Sequence, residues 1–151
     1  MATDMQKMLR LVTEQTGVGR IEDPDAESVM QDESGREYLR LEMRVHRDIV
    51  KEARYVADGE VNVNVAAAMA AVTQIAQGKA IMVATLMKPA DIEKELSDGS
   101  GLDEEDRPAV AAAAVMLHEC LRNYSMRYNA RRKERLEKLG ISPDAPEGEQ
   151  A

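Results

Sequence analysis

The feature that most limits the possible folds is an unbroken alternation of residue types between Tyr38 and Val45. Every second residue there is apolar, and the residues between them are charged or Tyr. Successive side chains of a strand point to opposite faces, so this pattern predicts a strand with one buried face. A looser alternation runs from Ile49 to Ala57, after the turn residues 46–48. The two segments predict an antiparallel hairpin, and its apolar face consists of Leu39, Leu41, Met43 and Val45.

The other apolar patterns repeat every three or four residues, as amphipathic helices do. They cover residues 4–16, Val65–Ala76, a segment opened by Pro89, and a long stripe that starts at Pro108 and stops before Gly140. The alternation of Val61, Val63 and Val65 is also compatible with a strand, but the longer helical pattern favours a helix. The acidic, turn-rich residues 20–35 predict a loop, with one short strand as an alternative.

This order of elements predicts an α+β fold, in which a small antiparallel sheet of about three strands is covered by helices. Residues 1–140 are predicted to form a single domain. Residues 141–151 contain two Pro and three acidic residues without periodicity, which predicts a disordered acidic tail. An all-α fold remains the alternative if residues 38–57 do not form a hairpin.

Composition excludes several classes of protein. The 151 residues carry a formal net charge of -8 and a pI near 4.9, so a broad phosphate-binding surface and a nucleic-acid partner are not expected. The single cysteine, Cys120, cannot form an intramolecular disulfide, and the N-terminal residues lack an apolar signal region. No segment approaches membrane-spanning length. The sequence therefore predicts a cytoplasmic protein without a membrane partner.

The sequence contains no complete catalytic motif. Gly17 and Gly19 begin like a dinucleotide fingerprint, but Glu22 stands where a third glycine is needed. His118 and Cys120 are two residues apart on a helix, so they face different directions and cannot share a metal ion. Cys120 lies on the apolar stripe, which favours a buried core thiol. The sequence thus predicts a protein that is not an enzyme and binds no cofactor.

Several segments resemble the NifU/IscU-type iron–sulfur cluster assembly scaffold domain. Residues 17–26 (GVGRIEDPDA) resemble the turn-rich segment after the family's first helix, and residues 39–45 and 49–55 resemble its first two strands. Residues 77–79 resemble the Gly-Lys after its small-residue-rich helix, and residues 90–96 its D-I-A-E-A-L helix. The resemblance spans about Gly17 to Tyr128 and implies the scaffold fold.

The resemblance also implies that the cluster ligands are missing. Gly35-Arg36-Glu37 stands where the family has its first Cys-Gly-Asp, Glu60 replaces the second cysteine, and Pro108-Ala109 replaces the His-Cys pair. Residues 102–106 likewise replace the L-P-P-V-K stretch by which some members engage a chaperone. Carboxylates are poor ligands for soft iron–sulfide coordination. No metal site is therefore predicted at the vacated positions, which are Gly35, Glu37, Glu60 and Ala109. The two glutamates could hold a hard ion or be solvated loop residues.

The function predicted from these residues is that of a non-catalytic scaffold-like protein. It would be an interaction or structural subunit of a larger enzyme or metalloprotein assembly, with protein partners, and a homo-oligomer is an open alternative. The helices at Val63–Ala76 and Ala109–Met116 carry more apolar residues than one face requires, which suggests a covering partner; neutral helix-forming alanines are the alternative. The alternative function is cluster assembly or transfer with ligands supplied by Cys120, by acidic residues or by a partner.

Overall fold

A computed structural model of the chain describes residues 3–97 and 102–141, and it has the predicted α+β architecture. One helix precedes three strands, and four α-helices and a 3-10 turn follow them. In chain order the elements are α1 (Met5–Thr13), β1 (Ala26–Gln31), β2 (Glu37–His46), β3 (Ile49–Ala57), α2 (Val63–Ala76), α3 (Ile81–Thr85), α4 (Pro89–Leu96), the 3-10 turn (Glu104–Asp106) and α5 (Arg107–Lys138).

The sheet has the order β1-β2-β3 with antiparallel neighbours, which confirms the predicted hairpin. Leu41 lies at its centre, opposite Ser28 on β1 and Tyr55 on β3. The side chains of Leu39, Leu41 and Met43 are buried under the helices. Val45, predicted to lie on the same face, is only half-buried; it lies where the pairing with β3 shifts its register, between Arg44 and Val45.

The hairpin turn lies where the sequence predicted it. Arg47 and Asp48 connect β2 to β3, and both have positive φ angles, of 51° and 62°. Two consecutive left-handed residues match the right-handed twist of the flanking strands. The turn therefore fixes the pairing of His46 with Ile49.

Within the acidic stretch expected to form a loop, residues 26–31 form the strand β1. Ala26 and Ser28 point into the core, and Ser28 Oγ donates a hydrogen bond of 2.8 Å to Met116 O on α5. The side chain of Glu27 forms ion pairs with Arg40 on β2 and with Arg127 on α5. The strand is stabilised by pairing with β2 and by these bonds, since its own residues have weak strand propensity.

The connection from α1 to β1 crosses close to α2. Helix α1 ends at Thr13 rather than Thr16, and Gly17 follows with a φ of 74°. A Cβ at Gly17 would lie 2.0 Å from Thr73 Oγ1, so no other residue fits there without a shift. Gly17 O then accepts a 2.8 Å bond from Tyr55 N, which attaches this segment to the free edge of β3.

Helix α2 is the centre of the core. Its residues 67–73 are all buried, because α1, α4, α5 and β3 pack around it. The excess of apolar residues on this helix is therefore covered by the chain itself and does not require a partner. On α5, by contrast, the apolar side chain of Val115 is 53% exposed, so the described part of the chain does not cover all the apolar residues of that helix.

Helix α5 has 32 residues and is therefore about 48 Å long. It ends near the predicted stop: Gly140 has a φ of 74°, and Ile141 N donates a 2.9 Å bond to Leu136 O. This is the Schellman arrangement of a glycine-terminated helix. The predicted disordered tail of residues 141–151 lies, apart from Ile141, outside the described residues. None of the helices in the described ranges is long and apolar enough to cross a membrane.

Candidate functional site

The first vacated position lies in the turn between β1 and β2. The carboxylate of Asp32 holds this turn by accepting hydrogen bonds from the backbone of Ser34 and Arg36, at 2.9 and 3.0 Å, and from the Ser34 hydroxyl at 2.6 Å. These bonds keep the pKa of Asp32 below its usual range, with the Ser34 hydroxyl bond as the largest cause. Gly35 is exposed, and its φ of 85° is a conformation that a cysteine adopts only at a cost of about 1–2 kcal/mol.

Arg36 and Asp58 form an ion pair that joins this turn to the loop between β3 and α2. Asp58 N donates a 2.9 Å bond to Tyr38 O, and Asp58 Oδ1 accepts a 3.0 Å bond from Glu60 N. The second vacated position, Glu60, is therefore fixed through its backbone, while its side chain is exposed. The two positions that the sequence resemblance aligns with the family's first two cysteines, Gly35 and Glu60, thus flank a guanidinium–carboxylate pair.

A cavity of about 420 Å³ lies between the β1–β2 turn, the β3–α2 loop and α5. Its floor is apolar and its rim carries Asp32, Arg36, Asp58 and Glu60. The remaining lining residues are Met30, Tyr38, Leu39, Val61, Asn62, Val65 and Ala112. No thiol or imidazole lines the cavity within the described part of the chain, and Met30 provides its only sulfur atom there.

Glu37 lies on the face of the sheet that is turned away from the helices. Its carboxylate accepts two hydrogen bonds from Arg40, of 3.0 and 2.5 Å, which lower the pKa of Glu37. A smaller groove of about 130 Å³ contains both residues together with Arg20. The structure therefore does not bring Glu37 to the cavity that Glu60 lines.

Ala109 lies in the first turn of α5 and is buried, and Ala112, one turn later, lines the cavity instead. Near it, Asp103, Glu105 and Asp106 have carboxylate oxygens within 4.8 Å of one another. Asp106 already accepts a 2.6 Å bond from the Thr3 hydroxyl and a 3.3 Å bond from the Asn64 amide. The Asp106 side chain thus ties the N-terminal segment and α2 to the start of α5.

Cys120 is buried in the core, as predicted, and its Sγ lies 4.0 Å from Leu41 O. Burial raises the pKa of the Cys120 thiol to about 12, and the negative charge of Glu27 adds to the effect. Cys120 lies eight residues beyond Ala112, the residue of α5 that lines the cavity, which is about 12 Å along the helix. The thiol can therefore neither ionise near neutral pH nor reach the cavity.

The two histidines are also remote from the cavity. His118 is exposed on α5, and its Nε2 lies 2.9 Å from Met87 O. His46 ends β2, whereas the cavity lies at the end where β2 begins.

Comparison with known proteins identifies the family. The family described as "NifU-like N terminal domain" matches residues 3–131. The chain belongs to this family. A crystal structure of a nitrogen-fixing NifU-like protein (N-terminal) from Brucella abortus is similar to this NifU-like domain, with a TM-score of 0.55 and 11% identity over 80% of this chain and 93% of that one. At that identity the likeness shows the fold. No curated protein matches the sequence.

The family is one of iron–sulfur cluster assembly scaffolds, but the residues around the cavity of this NifU-like domain do not fit a cluster. A cluster takes about four thiolate or imidazole ligands. The cavity offers carboxylates, and two of them are engaged, Asp58 by Arg36 and Asp32 by its own turn. The sequence reasoning missed the Arg36–Asp58 pair. The sequence did contain a signal for this pair, because Arg36 and Asp58 carry opposite charges and lie just before and just after the predicted hairpin.

Proposed function

We propose that this protein is a non-catalytic member of the scaffold family that does not assemble a cluster on its own residues. It serves in the cytoplasm as an interaction or structural subunit of a larger enzyme or metalloprotein assembly. The observation that carries the proposal is the chemistry of the cavity, where a guanidinium–carboxylate pair stands between the former ligand positions.

Electrostatics support this interpretation. The positive charge of Arg36 repels Fe²⁺, and its pairing with Asp58 uses the carboxylate that could otherwise bind a cation. Glu60 alone remains as an exposed ligand with oxygen donors, which suit hard ions rather than iron–sulfide. Cys120 is too distant and too poorly ionised to compensate.

Anaerobic reconstitution with Fe²⁺, sulfide and a thiol reductant tests the first half of the proposal. We expect the parent protein, after desalting, to retain no visible cluster absorption and no stoichiometric iron or acid-labile sulfide. The Glu60→Gln and Cys120→Ala variants serve as matched controls and should give the same result. A stoichiometric cluster on the parent that is lost in Glu60→Gln would overturn the proposal and establish cluster assembly instead.

The subunit role is tested in the native host. Affinity purification under gentle conditions, followed by light scattering and mass spectrometry, should yield the chain in a stable complex with a stoichiometric partner. Recovery of the chain as a free monomer at its native concentration would contradict the subunit role. A partner whose own cysteines bind iron in the complex would favour ligands supplied in trans.

A further inference from the structure

The inward face of α5 continues past the residues that pack on the sheet. Five residues follow one another at alternating spacings of four and three, which keeps them on one face of the helix; they are Tyr124, Tyr128, Arg131, Arg135 and Lys138. Beyond Tyr128, Leu136 is the one buried residue of α5. This face therefore changes from apolar to basic where the described part of the chain leaves it uncovered.

The basic residues on this face are available for a partner. Residues 124–141 contain six Lys or Arg and two Glu, in a chain whose net charge is -8. Arg127 is engaged by Glu27 at 3.0 Å, but Arg131, Arg135 and Lys138 form no ion pair with the residues that the structure describes. We call these last three residues the basic stripe. It is a local reversal of charge on an acidic protein.

An apolar groove adjoins the basic stripe. The rings of Tyr124 and Tyr128 stack with centroids 6.3 Å apart, and a groove of about 380 Å³ separates them from the start of α3. Met82, on the opposite wall, is 79% exposed. We call this site the anchor groove, lined by Ala80, Ile81, Met82, Tyr124, Ser125 and Tyr128. Such exposed apolar surface beside polar groups is typical of protein interaction sites.

We infer that the anchor groove and the basic stripe together bind an acidic segment of a partner protein. One apolar side chain of the segment occupies the groove, and carboxylates one and two helical turns further on face Arg131 and Arg135. The inference rests on the proposed function and names the surface and the kind of partner that it requires. Asp48 also lines the groove, so the acidic residues of the partner lie toward the stripe.

Charge complementarity favours a protein segment over nucleic acid. The stripe extends over about 10 Å of helix and carries three charges, whereas the whole chain is strongly acidic. Nucleic acid binding relies on many phosphate contacts over a broad positive surface. The helical spacing of the stripe instead matches a helix laid along α5, in which carboxylates recur at the same interval.

The probe is a fluorescently labelled synthetic helix that carries one Phe and, one and two helical turns after it, Glu residues. Its binding is measured by fluorescence anisotropy. Arg135→Glu and Lys133→Glu form a matched pair, since both reverse one exposed charge on α5 and the two positions face nearly opposite directions. We expect Arg135→Glu to weaken binding by about tenfold and to flatten its salt dependence. Lys133→Glu should change the affinity by less than about twofold. Tyr128→Ala, which removes one wall of the groove, should weaken binding about tenfold at every salt concentration.

Three outcomes would overturn the inference. In the first, the parent protein fails to bind the probe, and in the second, Arg135→Glu and Lys133→Glu weaken binding equally. The third outcome is that the parent binds a single-stranded oligonucleotide more tightly than the probe. A parent dimer in light scattering that Arg135→Glu dissociates would assign the surface to a second copy instead. None of these measurements depends on the cluster reconstitution. A negative result here would therefore not change the conclusion that the protein assembles no cluster on its own residues.

Discussion

The most informative perturbation of the fold is Glu42→Gln. Glu42 is 1% exposed although it lies on the face of the sheet that is turned away from the helices. Its Oε1 accepts hydrogen bonds from Arg20 Nε at 3.0 Å and from Ile21 N at 2.9 Å, and its Oε2 lies 3.4 Å from Arg40 Nη1. A glutamine oxygen can accept the first two bonds, but its amide nitrogen would face the Arg40 guanidinium, donor against donor.

The magnitude follows from these contacts. Hydrogen bonds to a charged group contribute about 1.5–3 kcal/mol, and neutral ones about 0.5–1.5 kcal/mol. Losing the charge therefore costs about 1 kcal/mol at each of two bonds, and the clash with Arg40 adds to this. We expect Glu42→Gln to lower the free energy of unfolding by about 2–3 kcal/mol, measured by urea denaturation at pH 7.

The pH dependence gives a second, independent readout. Desolvation raises the pKa of Glu42, but the bonds from Arg20 and Ile21 and the charges of Arg20 and Arg40 outweigh it and lower the pKa overall. A lowered folded-state pKa stabilises the protein above the unfolded value, about 4.3, and this contribution is lost as the pH falls further. Glu42→Gln should therefore flatten the acid limb of the stability profile.

Glu52→Gln is the matched control. Glu52 lies on the adjacent strand, its side chain is 38% exposed, and it contacts Arg54 at 3.4 Å. An exposed pair of this kind contributes less than about 1 kcal/mol. Equal effects of the two substitutions, or an unchanged acid limb in Glu42→Gln, would refute the account of the buried carboxylate.

Three further predictions concern the core and the vacated positions. Leu41→Asp would bury an unpaired carboxylate and should destabilise the fold by several kcal/mol in thermal unfolding; a stable variant would contradict the packing of β2. Cys120→Ala should cost about 1 kcal/mol in urea denaturation and leave partner binding intact, and native Cys120 should not react with thiol reagents at neutral pH. Glu37→Gln combined with Glu60→Gln should leave the melting temperature the same as the parent's in EDTA and in added Zn²⁺, Fe²⁺ or Ca²⁺. A rise of several degrees in the parent alone would reveal a metal site.

The hairpin and the end of α5 could be predicted because their signals are local. Alternation fixes which face of β2 is buried, and Gly140 supplies the left-handed residue that ends the helix. The sequence predicts a loop at residues 26–31, with a short strand as the alternative, because the stability of β1 comes from non-local bonds such as Ser28 Oγ to Met116 O. No pattern within residues 26–31 contains that information.

The sequence predicts only part of the candidate site. Alignment of the two strands with those of the family that the sequence resembles indicates the turn at Gly35 and the loop at Glu60, and residues of this turn and this loop line the cavity. The direction of Glu37 depends on a register shift between Met30 and Gln31 and on its bonds to Arg40. A sequence pattern cannot show such an irregularity, since one extra residue on a strand changes the face to which a side chain points.

The burial of residues 67–73 on every side of α2 affects how a mutational scan of this protein should be interpreted. At Ala67, Ala68, Ala70 and Ala71 no side chain larger than a methyl group has space, because neighbouring elements pack against every side of the helix. These positions will tolerate the fewest replacements although they contact no partner. Arg131, Arg135 and Lys138 will tolerate nearly all replacements in a growth-independent stability assay. A scan that measures stability will therefore identify the packed centre of the molecule. Only a scan that measures partner binding will identify the surface formed by the anchor groove and the basic stripe.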